Sequence, residues 1–361
     1  MAARADLNAI ACRAPGEPHV HVATTEDGRA WDAYVARRPE ATLYHLFGWK
    51  TVAEEAYGLR TPFLVSRDGS GGAVRGILPL IRVPRPFTQY LTTGLFGAYG
   101  PLLADDEAHA RALVAAAVAR IDTGEARHLH LKLLGDGPSG LDLERRDIWV
   151  TAKLDLGTDE NELWQRLPNK QRWAIRHARK AGLEASHGPD GFDGFYEVLF
   201  ENMHRKGAPI YGKTFFRSVL RSLAPHASIV ALRDRRRVVS GAFVASFGGT
   251  MYVPFASSRV DYFKHRINHL LFWEVMRYAH SLGCHTLDFG SSLRDSSVLD
   301  FKREWRPEIE PIRSYVYAAP DARPKLDPRD SGVADVIVAA WGRLPRNAAR
   351  ILGPALCRWI A

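Results

Sequence analysis

Apolar residues recur at helix and strand spacing in the same order twice along the chain. The alternation from His128 to Leu134, with Leu129, Leu131 and Leu133 on one side, has the period of two that marks a strand. The same criterion predicts a short strand near Val20–Ala23 and strands at Thr61–Arg67, Val74–Val83 and Tyr90–Thr93. Helices are predicted near Ala30–Arg37, His45–Tyr57 and Glu107–Ile121. The second part opens with a strand at Val150–Leu156 and helices at Glu160–Leu167, Lys170–Ala181, Gly194–Met203 and Thr214–Leu223. Strands Ser228–Arg233, Val238–Phe247 and Thr250–Ala256 follow, then a helix at His269–Leu282 and strands at Cys284–Phe289 and Ser314–Tyr317.

Strand, helices, a three-strand meander, helix and strand, occurring twice at an offset of about 160 residues, predict an internal duplication. The two copies share order and no visible sequence. The expected fold is α/β, a duplicated mixed sheet flanked by helices, with the boundary in the stretch Gly135 to Asp147. Residues 1–145 form the expected first domain, 146–320 the second, and 321–361 a linker and tail.

The linker, Pro320 to Asp330, is rich in Pro, Asp and Arg. Apolar residues resume beyond it (Val336, Ile337, Trp341, Leu344, Ile351, Leu352, Leu356, Trp359, Ile360), interleaved with Arg343, Arg346, Arg350 and Arg358. Pro345 and Pro354 predict short helices. Such a tail suits either an anionic membrane surface or docking on the body; docking is favoured, as the commoner fate of an apolar segment.

Charge sharpens this picture. The net charge is +9, and residues 151–361 hold 32 Lys/Arg against 22 Asp/Glu, while residues 1–150 are nearly neutral. A basic second half favours an anionic partner: phosphate, nucleotide, RNA or lipid. A solvated basic face is the plain alternative. The three scattered cysteines, Cys12, Cys284 and Cys357, fit a reducing compartment and no disulfide framework. The first residues lack the apolar run of a signal peptide and no window is long and apolar enough to span a membrane, so the expected location is cytoplasmic.

Three clusters carry candidate chemistry. On a helix over Lys170–Lys180, Arg172, Arg176 and Arg179 share one stripe, five cations with no acid among them. An anion would relieve their repulsion, as would acids elsewhere in the fold. In Asn202–Lys213, a helix end, a Gly- and Pro-bearing loop and a new helix start bring together Arg205, Lys206, Tyr211 and Lys213, a set suited to phosphate or carboxylate. In Asp288–Trp305, Phe301 and Trp305 at i, i+4 are expected to pack inward and turn Lys302 and Arg303 to another face. Asp288 ends a strand and suits either proton acceptance from an amine or capping of the next turn, the commoner role. His265 and His269 lack an acid between them, and no metal site is expected. No Walker loop, dinucleotide fingerprint or nucleophile elbow is present.

The runs Asp288-Phe289-Gly290, Phe301-Lys302-Arg303-Glu304-Trp305 and Ser314-Tyr315-Val316-Tyr317, with Leu271-Phe272-Trp273-Glu274 and Arg205-Lys206-Gly207-Ala208-Pro209, resemble the FemAB family. In the first half, Trp49-Lys50, Gly76-Ile77-Leu78-Pro79-Leu80 and Tyr99-Gly100-Pro101 are similar to the family's corresponding stretches. The tail Ala340-Trp341-Gly342-Arg343-Leu344-Pro345 and Leu352-Gly353-Pro354 resembles the subgroup associated with exosortase/PEP-CTERM exopolysaccharide systems. The resemblance covers nearly the whole chain.

It implies two tandem N-acetyltransferase-like (GNAT) domains, each a mixed sheet flanked by helices. It also implies transfer of an acyl or aminoacyl group to an amine of an anionic, lipid-linked or soluble sugar or peptide precursor of the cell envelope. By the same resemblance Phe301 and Lys302 lie at the donor end; the residues themselves add Arg303 behind Lys302, and Asp288 as a proton acceptor, so Lys302 and Asp288 are the catalytic candidates and Phe301 and Arg303 flank the donor. The resemblance implies that Lys50, Tyr99, Arg205, Tyr211 and Tyr252 hold the acceptor, and the charge pattern of the basic helix adds Arg172 and Arg176. No tightly bound cofactor is implied. The co-substrate is acyl-CoA, an acyl-carrier thioester or aminoacyl-tRNA, and the lack of a long helical arm in the second half sets tRNA behind the thioesters. Two readings compete: a non-catalytic binding protein on the same scaffold, recruited to membrane-associated polysaccharide machinery, and RNA binding, for which no motif speaks. DNA is not an expected partner.

Overall fold

The computed structural model describes residues 17–85, 88–94, 97–322, 324 and 340–360, and among these described residues fifteen strands and ten α-helices form the fold. Cys12, most of the expected linker, Val336 and Ile337 lie outside the described residues.

In the first half, β1 (Pro18–Val22), β2 (Leu64–Asp68), β3 (Val74–Leu78) and β6 (Leu103–Ala104) form an antiparallel four-stranded sheet. The expected strand Val74–Val83 is two strands in two sheets. Pro79, which cannot donate to a ladder, separates β3 from β4 (Ile81–Arg85). β4 pairs with β5 (Thr88–Thr92), which runs parallel to β7 (His128–Leu134) after the crossover helix α3 (Glu107–Asp122). Asp106 caps α3 by accepting from the His109 amide, as an N-cap aspartate does. Helices α1 (Gly28–Ala36) and α2 (Gly48–Tyr57) precede β2, and α2 stops at Gly58, whose φ of 60° closes the helix in the left-handed conformation.

The second half repeats the plan. After β8 (Glu144–Asp155) come α4 (Glu160–Arg166), α5 (Asn169–Arg179), β9 (Glu184–His187), α6 (Phe192–Arg205) and α7 (Lys213–Ser222). Next is the meander β10 (Ala227–Asp234), β11 (Arg237–Phe247) and β12 (Thr250–Ser258). Helix α8 (Ile267–Ser281) crosses to β13 (Thr286–Asp288), parallel to β12. Thus β12, α8 and β13 stand where β5, α3 and β7 stand in the first half. Helix α8 is buried nearly all round, from Ile267 and His269 to Met276 and Ala279, and forms the spine of the second core.

One strand joins the halves. β14 (Ser292–Leu293) and α9 (Ser297–Arg303) lead to β15 (Glu308–Ala318), which lies between β7 and β8 and pairs antiparallel with both. The larger sheet therefore runs β4-β5-β7-β15-β8-β13-β12-β11-β10-β9 without a break. The stretch Gly135 to Asp147 lies in the connection from β7 to β8 and includes the first residues of β8.

The tail docks. Helix α10 (Arg346–Ile360) buries Ala349 and Cys357 against the body, Arg350 pairs with Glu197 of α6, and Arg346 with Glu201 at 3.0 Å. The expected break at Pro354 does not occur: α10 runs through it, forgoing one backbone hydrogen bond.

A cationic cleft where two strands part

Strands β12 and β13 pair only over Thr250–Tyr252 and Thr286–Asp288. Beyond Tyr252, β12 continues to Ser258 while the chain leaves β13 through Phe289, Gly290 and Ser291. The strands separate there, leaving the β12 edge with no strand beside it among the described residues. A cleft of about 510 Å³ fills the opening. Val253 to Ser258 form one wall, the end of α6 and the start of α8 two more, and Ser297, Val298, Phe301 and Lys302 of α9 the fourth. Arg205, Lys206 and Lys302 line it, and no acidic side chain does among the described residues.

At the end of β13, Asp288 is 0% exposed. Its carboxylate accepts hydrogen bonds from the Tyr99 hydroxyl, from Thr151 Oγ1 at 2.7 Å and from the Gly290 amide at 2.8 Å. Burial raises its pKa, and these three donors pull the other way. Tyr99 comes from the first half and Thr151 from β8, so the carboxylate ties three segments together. Tyr44 packs tilted against Tyr99 and edge-on to Tyr252, with ring centroids 5.0 and 5.8 Å away, and carries this buried layer up to the cleft wall.

Lys302 is 5% exposed. Ser296 caps α9 by accepting from the Leu299 amide, and Leu299 and Lys302, at i, i+3, share the buried face. The expectation that Lys302 turns away from the packed face is therefore corrected: it points inward, while Trp305 is buried just past the helix end. Its Nζ donates to the Gly290 carbonyl at 2.6 Å and the Ser291 carbonyl at 3.4 Å. Those oxygens are what permit a lysine to be buried. Burial pushes its pKa down to about 8, opposed in part by the Asp288 charge.

The candidate residues divide into three groups. Lys302, Phe301 and Arg205 meet in the cleft. Asp288, Tyr99 and Tyr252 lie buried beside it, and Tyr211 lies behind its wall, 5.9 Å from the Phe255 ring. The remainder are elsewhere. Lys50 donates to Thr61 Oγ1 at 2.7 Å and pairs with Glu54 along α2. Arg172 bonds Gln165 and Asn169, and Arg176 sits 5.9 Å from the Trp164 ring, so the stripe on α5 is occupied by its own neighbours. Arg303 is exposed and pairs with Asp300 at 3.1 Å. Tyr44, Thr151 and Asn268 were not singled out from sequence; nothing local marks Tyr44 and Thr151, because each meets the site across the fold. Asn268 fixes the β12–α8 corner, accepting from Ser258 Oγ at 2.6 Å.

Residues 166–303 match the family model described as an acetyltransferase (GNAT) domain. Among solved structures, FemX aligns with 83% of this chain and 97% of its own at 15% identity and a TM-score of 0.66. A tandem GNAT protein from the clavulanic acid biosynthesis pathway aligns with 85% of this chain and 100% of its own at 14% identity and a TM-score of 0.55. The fold is a tandem GNAT fold. The C-terminal domain of a putative lysylphosphatidylglycerol synthetase from Agrobacterium fabrum is also similar, at 13% identity and a TM-score of 0.54 over 87% of this chain and 94% of its own. A comparison with curated proteins finds no match. The matched GNAT segment spans α5 to α9 and so contains the cleft from β12 to Lys302.

Among the described residues the cleft holds no side chain arranged as an activated nucleophile. Ser257, Ser258, Ser291 and Ser297 line it, but none is hydrogen-bonded to a histidine or carboxylate that could activate it. Cys284 and Cys357 are buried away from the cleft.

Proposed function

We propose that this protein transfers an acyl or aminoacyl group from a thioester or ester donor to an amine on an anionic acceptor, in the cleft between β12 and β13. The observation that carries the reading is the parting of two parallel strands over a cleft lined by three cations and no acid. A free strand edge offers backbone N–H groups to a donor amide or a developing oxyanion. The apolar wall of Leu199, Met203, Phe255 and Leu271 suits the donor's chain, and acyl-CoA is the donor that the GNAT fold favours.

The amine nitrogen attacks the donor carbonyl carbon. A C–N bond forms, the C–S bond of the thioester breaks, and the leaving thiolate takes up the proton that the nitrogen sheds. In this scheme the Lys302 ammonium stabilises the oxyanion and holds the Gly290–Ser291 turn. Asp288 is a positioning residue, since its carboxylate already accepts three hydrogen bonds and does not line the cleft. Arg205 and Lys206 draw in the anionic acceptor, a phosphate-bearing sugar or peptide precursor of the envelope or of an exopolysaccharide.

The test is a matrix of donors (acyl-CoA, acyl-carrier thioester, aminoacyl-tRNA) against amino-sugar and peptide acceptors, read by the mass of the product. Donor-dependent N-acylation supports the reading. Binding of donor or acceptor without turnover in any pairing would overturn it in favour of a non-catalytic scaffold.

A further inference from the structure

Helix α10 has two apolar faces. Ala349, Gly353 and Cys357, at i, i+4, i+8, are buried against the body, and Gly353 lies so close to the Ile210 backbone that a Cβ would stand 3.3 Å from its carbonyl oxygen. On the other side Ile351, Leu352 and Trp359 are 76%, 46% and 42% exposed, and with the exposed Ala355 they form one stripe at i, i+1, i+4 and i+8.

The charged side chains of the tail itself have one sign. Residues 340–361 contain Arg343, Arg346, Arg350 and Arg358 and no acid. Glu201 and Glu197 of α6 pair with Arg346 and Arg350, and Arg350 also covers the Phe200 ring at 4.3 Å. Arg343 and Arg358 are exposed and form no ion pair among the described residues. The helix is thus pinned by its paired cations and presents tryptophan, isoleucine and leucine beside the other two.

We infer that the outer face of α10 docks this protein on an anionic phospholipid surface. The arrangement is that of an interfacial helix, with apolar side chains entering the acyl boundary and arginines at the headgroups. Its 15 residues are too few to span a bilayer, and no described helix is long and apolar enough to do so. The turn that leads into α10 adjoins the cleft wall. His204 Nε2 meets the Leu344 carbonyl at 2.9 Å, and the next residues of the chain, Arg205 and Lys206, line the cleft. The inference goes beyond the transfer reading and does not depend on it.

The experiment is co-flotation of the full chain with vesicles of phosphatidylcholine alone or mixed in roughly equal parts with phosphatidylglycerol. Binding to the anionic vesicles only, declining as salt is raised, is the expected result. The double variant Arg343→Gln/Arg358→Gln should weaken binding about fivefold for each arginine removed. The triple variant Ile351→Gln/Leu352→Gln/Trp359→Gln should abolish it with an unchanged melting temperature, because those side chains are exposed. The inference is overturned by equal binding to neutral vesicles, by no binding to either, or by a triple variant that floats like the parent. Self-association abolished by the triple variant would overturn it too, assigning the face to a second copy. N-acylation of a soluble acceptor, measured on the same variants, is expected to be unchanged, so failure of docking and failure of the transfer reading are read separately.

Discussion

Tyr99 donates its hydroxyl to the carboxylate of Asp288, and across that bond the first half of the chain holds the strand end on which the second half builds its cleft. Both residues are 0% exposed. A hydrogen bond to a buried charge is worth about 1.5–3 kcal/mol. Tyr99→Phe keeps the ring, which packs 5.0 Å from Tyr44, and removes that donor. Denaturant unfolding should show a loss of about 1.5–3 kcal/mol with an unchanged slope. An unaltered midpoint would mean that Asp288 does not need Tyr99.

Lys302→Met preserves the length of the side chain and removes its charge. The Gly290 and Ser291 carbonyls lose their donor, while the cost of burying an ammonium disappears, so the two effects on stability oppose each other. The effect on transfer has no such offset. Loss of a placed oxyanion donor typically costs ~2.7–4 kcal/mol of barrier, or ~10²–10³ in turnover. Turnover within a factor of a few of the parent, in a variant with a native melting curve, removes Lys302 from the chemistry.

The same side chain sets an alkaline limb. Its pKa is about 8 in the folded protein against 10.5 for an ordinary lysine. If the ammonium is the active form, turnover falls as pH rises through about 8. Folding moves the other way. Between about 8 and 10.5 the unfolded chain holds this proton more tightly, so the group's contribution to stability rises with pH. Loss of activity across that window therefore cannot come from this lysine unfolding the protein. A pH–rate profile of Lys302→Met should lack the limb, and a limb that persists in it belongs to another group.

The meander β10–β12 and the helices α6 and α8 were legible because their apolar period is local. The place of β15 was not, since insertion between β7 and β8 joins residues more than a hundred positions apart. Lys302 shows the same limit at the scale of one side chain. Phe301 and Trp305 gave a strong i, i+4 signal, whereas the carbonyls that stabilise a buried ammonium belong to a turn 11 and 12 residues earlier. Lys50 lies away from the cleft for the complementary reason. Its partners Glu54 and Thr61 stand nearby in sequence, and a cation satisfied by its neighbours is not free to hold a substrate. Strand β9, with no apolar residue except Ala185, carries no period and forms the sheet edge.

The cleft itself can be closed without touching any residue assigned to chemistry. Ala256 lies on β12 opposite Ala242, lines the cleft and is exposed. An indole at that position enters the opening between the strands rather than the core. Ala256→Trp should therefore change stability by no more than about 0.5 kcal/mol, the usual range for exposed sites. Donor binding, followed by calorimetry with acyl-CoA, should weaken by at least about tenfold, roughly 1.4 kcal/mol, because the wider side chain takes the volume the acyl chain needs. Full affinity for the donor in this variant would show that the thioester enters by another route, and the parting of β12 from β13 would lose its functional meaning.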